Sequence, residues 1–228
     1  MDIIHWFSVD NILFHLDARG VSLIDLCSAI IGLTCVFLAT RARKENFWVG
    51  YLYNVLLFFL FMQKHLYSSM LLQPLSFALN VYGHYRWTHP KEGEANAQQE
   101  LKITSLSWKL RALYLGGWVV LTLCWGFVFS RLHLLNEGLF PPARQPFLDA
   151  FVTVTFLTAQ LLSAKKVLEC WACWMTANVT NLILYLRSGL IFMPLVATAY
   201  MVMAVLGFLG WRKRRKREEL DRFNRKSN

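Results

Sequence analysis

Residues 169–185 read Glu169-Cys-Trp-Ala-Cys-Trp-Met-Thr-Ala-Asn-Val-Thr-Asn-Leu-Ile-Leu-Tyr185. The stretch is apolar enough to cross a bilayer, yet it carries Trp171, Trp174, Asn178, Asn181 and Tyr185. On a helix advancing ~100° per residue these five share one face about 80° wide. Indoles and amides on a single face suit a flat, polar small molecule that is neutral or cationic. A helix of this kind needs a membrane around it and other helices to supply the opposite wall.

Composition supports the membrane. The 228 residues are 56% hydrophobic and only 17% charged, which is wrong for a soluble domain of this length. The charges gather at the ends of long apolar runs, the polytopic pattern. A net charge of +10 invites a nucleic-acid reading, and its placement argues against one. Nine of the 24 Lys and Arg follow Trp211, most others flank apolar runs, and both groups read as topology signals and leaflet contacts. Arg212–Arg217 reads as a stop-transfer anchor. No signal peptide is expected, because Asp2 and Asp10 stand where a basic segment belongs.

Seven spans follow, over about residues 21–40, 46–63, 67–87, 108–130, 147–164, 168–186 and 189–211. Residues 1–20 form an interfacial amphipathic segment, read as a helix over 1–18 and ended by Gly20. Ser22 and Asp25 resemble a capping box. Residues 89–107 form a solvated cytoplasmic loop, and 212–228 a basic cytoplasmic tail. With seven spans the basic residues divide 19 to 5 between the two sides, so the tail faces the cytoplasm and the N-terminus faces out.

The spans group as three, one, three. Spans within 21–88 and within 147–211 would be parallel three-helix repeats, and the helix at 108–131 would invert the chain between them. Echoes accompany this plan. A basic pair precedes each middle helix (Arg43-Lys44, Lys165-Lys166), Trp48 with Asn54 matches Trp174 with Asn181 to within one residue of spacing, and Gly83-x3-Trp87 matches Gly207-x3-Trp211.

Intramembrane polar side chains default to functional candidates. Span three places Gln73, Ser76, Asn80, His84 and Trp87 on one stripe, with Pro74 able to loosen the helix. Span five groups Asp149, Thr153 and Gln160; span two offers Trp48, Tyr51 and Asn54. Blander readings compete. A lone Asn or Ser is interhelical glue, Trp48, Trp87, Trp118, Trp125 and Trp211 suit the aromatic belt or packing, and His84 suits packing near a helix end. Asp149 suits a helix N-terminus. Cys170-Trp-Ala-Cys173 has the spacing of a redox or metal pair, but it lies inside a membrane helix without a second ligand pair and reads as packing. With no nucleophile–base pair, HExxH or phosphate-cradling loop, neither an enzyme, a metal site nor a cofactor is expected.

Several of these features together resemble the PnuC nicotinamide riboside transporters: the three-one-three plan, Phe47-Trp-Val-Gly50 with Leu72-Gln73, Phe147-Leu-Asp149, and Lys165-Lys166-x4-Trp171-x-x-Trp174-x3-Asn178 with the Gly-x3-Trp ends. The similarity covers about residues 21–211. It implies an all-α bacterial inner-membrane facilitator with a SWEET-like fold, assembled as a homotrimer. Transport of nicotinamide riboside would be uncoupled, and a cytosolic kinase would trap the product. The expected substrate-binding residues are Trp174, Asn178, Asn181, Gln73 and Asn80, joined by Trp171, Tyr185, Asn54, Trp48, Gln160 and Thr153. Carriers of thiamine, riboflavin or a sugar are the alternatives within transport, and a non-transporting receptor or scaffold is the alternative outside it.

Overall fold

The computed structural model describes residues 8, 11–16, 19–63, 67–96, 99–131, 134, 146–187 and 192–227. A short antiparallel hairpin comes first, β1 (Ile12–Leu16) and β2 (Arg19–Ser22). Seven helices follow: α1 (Leu23–Thr40), α2 (Asn46–Gln63), α3 (Tyr67–Thr88), α4 (Trp108–Arg131), α5 (Pro146–Ala164), α6 (Cys170–Arg187) and α7 (Phe192–Ser227). Their bounds fall close to the expected spans, since charged and turn-forming residues interrupt each apolar run.

Among the described residues, five helices are long and apolar enough to cross a membrane: α1, α2, α4, α5 and α7. α3 and α6 fall short because they carry the polar stripes, Gln73, Ser76 and Asn80 on one and Asn178 and Asn181 on the other. Pro74 lies inside α3 without ending it.

The N-terminal segment differs from expectation. Residues 12–16 are a strand, not part of a helix; the remainder of 1–10 and 17–18 lies outside the described residues, Ser8 apart. The pairing of Phe14 with Val21 and Leu16 with Arg19, over a two-residue connection, is what a hairpin requires. Ser22 then caps α1, its hydroxyl accepting from the Asp25 backbone N–H at 3.4 Å while Asp25 accepts from the Ser22 N–H at 3.2 Å.

Six helices close a ring. α1 packs on α2, α2 on α3, α3 on α5, α5 on α6, α6 on α7, and α7 back on α1; α4 lies against α5. The two seams, α3 to α5 and α7 to α1, are built alike. At one, the Trp87 indole N–H donates to the Ser163 carbonyl at 3.1 Å. At the other, Trp211 donates to the Ala39 carbonyl at 3.0 Å. Phe47 meets Trp87 edge-on at 5.0 Å, and Trp171 meets Trp211 edge-on at 5.4 Å. Trp87 and Trp211 also touch, their ring centres 5.8 Å apart. A Cβ at Gly83 would lie 2.6 Å from the Phe47 ring, and one at Gly207 2.5 Å from Trp171, so beside each seam the helix pairs α2–α3 and α6–α7 need a bare backbone under an aromatic ring. Ala42 and Lys166, in the turns after α1 and α5, both adopt positive φ (51° and 54°). Every one of these pairs is separated by the same 124 residues.

The segment at 99–106 is not the expected solvated loop. Leu101 and Ile103 are buried against the aromatic cluster of Phe47, Trp87, Trp171 and Trp211. Their alternate spacing in an extended segment points both side chains inward. Thr104 donates to the Lys166 carbonyl at 3.1 Å and accepts from the Leu168 N–H at 2.9 Å. The Ile103 N–H and the Asn96 amide each donate to Glu218, at 3.2 and 3.1 Å. The segment is thus a strap across one end of the ring. Lys166 is buried beside it, with its ammonium 4.7 Å from the centre of the Trp87 ring and 3.8 Å from Glu100. Burial pushes its pKa down, against the pull of Glu100 and Glu218.

α7 also differs from expectation. It continues as helix through the basic tail to Ser227. Arg, Lys and Glu are strong helix formers, and Arg215 pairs with Glu219 one turn on at 2.9 Å.

Two outcomes follow for stability. Trp87→Phe and Trp211→Phe should each lower stability by about 1 kcal/mol, by similar amounts, because each removes one indole hydrogen bond across a seam; melting in detergent reads both. The second concerns Glu169 in the turn before α6. Burial alone would raise its pKa, but hydrogen bonds from Ser105, its own backbone, Leu106 and Arg111 outweigh that and hold it below the ordinary glutamate value. A depressed carboxyl stabilises above its unfolded pKa of about 4.3 and loses that contribution as pH falls through the folded value. Melting temperature should therefore drop on acidification below that point, and Glu169→Gln should lower it at neutral pH while flattening the acid limb.

Candidate functional site

The ring encloses a cavity of about 610 Å³ lined by α1, α2, α3, α5, α6 and α7. Nine of the eleven expected binding residues line it: Asn54 from α2, Gln73 and Asn80 from α3, Thr153 and Gln160 from α5, and Trp171, Trp174, Asn178 and Asn181 from α6. Helical spacing explains this, because each stripe is the inward face of its helix.

Trp48 does not belong to the cavity. It is 64% exposed and sits on the outside of α2, edge-on to Tyr51 at 5.7 Å and to His84 at 5.1 Å. It lies about 120° from Asn54 around the helix, so the two face different ways. Tyr185 is in α6, but its side chain lies outside the described residues. His84 packs flat on Phe47 at 5.6 Å and meets the Tyr51 hydroxyl at 2.9 Å, away from the cavity.

The cavity also holds residues the stripe analysis passed over: Tyr53, Phe156 and Tyr200. Phe156 lies edge-on to Trp174 at 5.5 Å. Tyr53 and Tyr200 converge over Gly32, where a Cβ would come within 2.5 Å of the Tyr200 hydroxyl and 2.9 Å of the Tyr53 ring. On the far side Asn80 closes on Gly50, whose missing Cβ would lie 2.7 Å from its amide nitrogen. Small residues on α1 and α2 thus make room for polar and aromatic ones. The register of the seams could have found Tyr200, which stands to Ser76 as Trp211 stands to Trp87. It also matches Asn54 to Asn178 rather than to Asn181, and both are buried.

Two features define what the cavity can hold. No Asp, Glu, Lys, Arg or His is among its described lining residues. And three buried polar atoms around it have no hydrogen-bond partner among the described residues: Asn54 Nδ2, Gln160 Oε1 and Trp171 Nε1. An unpaired buried polar atom costs about 1–3 kcal/mol. Two donors and one acceptor waiting in a closed ring of helices fit a ligand with matching hydroxyl or amide groups. The aromatic rings around them fit a flat ring, and a cation gains from facing an indole.

Comparison with known proteins agrees with this geometry. Residues 22–213 match a family model described as nicotinamide mononucleotide transporter. The nicotinamide riboside transporter PnuC of Escherichia coli (strain K12) is 31% identical over 227 residues, covering 90% of this chain and 93% of the relative. The riboflavin/roseoflavin transporter RibM of Streptomyces davaonensis is 23% identical over 194 residues, covering 85% and 86%. The crystal structure of the vitamin B3 transporter PnuC has the same fold, with a TM-score of 0.63 at 22% identity over 84% of this chain and 81% of that one. These relatives are transporters, not enzymes, and this chain belongs to the PnuC family of membrane transporters.

Proposed function

We propose that the protein is a uniporter for nicotinamide riboside in a bacterial inner membrane. The observation that carries this reading is the uncharged, amide-lined and aromatic cavity with its three unpartnered polar atoms. Nicotinamide riboside offers a flat cationic pyridinium to the aromatic rings. Its carboxamide and ribose hydroxyls can serve Asn54, Gln160 and Trp171. With no fixed countercharge among the described lining residues, a monocation can enter and leave without proton or sodium coupling.

The mononucleotide named by the family description is a poorer occupant. Its phosphate would need Arg, Lys or a helix N-terminus, and no cationic side chain is among the described lining residues. The same mismatch lets a cytosolic riboside kinase trap the product as an anion. Riboflavin is the second reading, favoured by the similarity to RibM.

The architecture is two parallel three-helix repeats, α1–α3 and α5–α7, joined by the inverting α4, as in the SWEETs, with all seven helices crossing the membrane. The constant 124-residue register of the seam contacts supports it. Alternating access would come from one repeat rocking on the other at the two seams. The basic end that carries the strap is cytoplasmic, following the charge bias, and the N-terminus is periplasmic. The exposed apolar face of α4 (Leu113, Val120, Phe127) is free for lipid or for neighbouring copies in a homotrimer.

Calorimetry on the purified protein tests the substrate and the site together. Nicotinamide riboside should bind. Asn54→Ala and Asn178→Ala should each weaken it about tenfold, Trp48→Ala should leave it within about twofold, and the mononucleotide should not compete. Binding of riboflavin in place of the riboside would overturn the substrate. Unchanged affinity in both asparagine variants would overturn the site.

A further inference from the structure

Beyond Trp211, α7 carries Arg212, Arg215, Lys216 and Glu219 at spacings of three and four residues, which puts them on one helical face. That face is partly exposed and borders a recess. It meets Arg111 of α4, Ser105 of the strap and Glu169 before α6, and together they enclose a second cavity of about 390 Å³. This cavity is separate from the central one and shares no lining residue with it.

Its charges do not cancel. Glu169 accepts from the Ser105 hydroxyl at 2.7 Å, from the Leu106 N–H at 3.2 Å and from the Arg111 guanidinium at 2.8 and 3.1 Å. Glu219 is taken by Arg215. Both carboxylates are therefore spent on one arginine each. Among the described residues no ion pair engages Arg212 or Lys216, so two positive charges remain facing the same small space. The level is also telling. Arg212 is the first charge after the apolar run of α7, and the Arg111 guanidinium lies 4.8 Å from the Trp108 ring, an 81% exposed indole at the start of apolar α4. A Trp so placed marks the membrane–water boundary, where phosphates of lipid headgroups lie and soluble phosphates also have access.

We propose that this cavity binds a phosphate group, with Arg212 and Lys216 as the principal donors and Arg111 and Arg215 flanking. Arginine's planar fork and lysine's compact ammonium are the groups that take phosphate oxygens, and basic pockets between membrane helices take anionic headgroups. The phosphate belongs to a phospholipid or to a soluble compound. Because Ser105 belongs to the strap, a bound phosphate also braces the strap against α7. The inference does not depend on which solute the central cavity carries.

The test uses the full chain in nonionic detergent. Native mass spectrometry titrates phosphatidylglycerol against phosphatidylcholine, and calorimetry titrates inorganic pyrophosphate. The double variant Arg212→Gln/Lys216→Gln should bind phosphatidylglycerol about tenfold more weakly than the parent. The charge-matched Lys213→Gln/Arg217→Gln, whose residues do not line the cavity, should stay within about twofold. The single Arg212→Gln serves if the double variant does not fold. Binding of the lipid alone assigns the phosphate to a headgroup; binding of pyrophosphate with the same loss assigns it to a soluble anion; either supports the proposal. No preference for either phosphate probe, or equal loss in the two doubles, overturns it.

Discussion

Two indole N–H groups hold the ring shut. Trp87 and Trp211 each donate to a backbone carbonyl on the neighbouring half, Ser163 and Ala39. These carbonyls lie at the ends of α5 and α1 and already accept from the Lys166 and Ala42 backbone N–H groups, both at 2.9 Å. A carbonyl oxygen has two lone pairs. Each indole therefore adds a second bond to a helix end and closes a seam with it. Everything inside depends on that closure. Asn54, Gln73 and Asn178 are tolerable in a membrane protein because the ring screens them from lipid.

Among the described residues, the interior this creates is polar without being charged. That combination fixes the chemistry more than the cavity's size does. A buried Asp would bind a cationic solute harder and release it slowly; a buried Arg would favour phosphates. An amide and indole lining does neither. It offers hydrogen bonds whose partners are missing in the empty protein, and aromatic faces that accept a cation at modest cost. A carrier that relies on gradients of its own solute needs such a site, binding well enough to select and weakly enough to let go.

Much of this was legible in the sequence. Runs of apolar residues broken by charge gave the helices to within about three residues except at the C-terminal end of α7, and helical periodicity put nine cavity residues on inward faces. Trp48 stood both as a site candidate and as a belt residue, since an indole serves the outer belt as readily as a site, and it lies outside the cavity. Tyr53, Phe156 and Tyr200 were missed because single aromatics in an apolar run carry no pattern until the neighbouring helices are known. The 124-residue spacing of the seam contacts was visible only as echoes. Its register needed the seam contacts, since Asn181 competes with Asn178 as the match to Asn54. The strap, the N-terminal hairpin and the helical tail were read by polarity, whereas tertiary contacts decide them: Leu101 and Ile103 bury, Phe14 pairs with Val21, and Glu218 receives the strap.

The central claim is that an uncharged cavity carries a riboside down its own gradient. Uptake of labelled nicotinamide riboside into proteoliposomes, with membrane potential clamped at zero, tests it most directly. The account predicts that internal concentration rises to the external one and stops there, unaltered by an imposed proton or sodium gradient. Uptake that does not occur, or that climbs past equality when such a gradient is imposed, would contradict it.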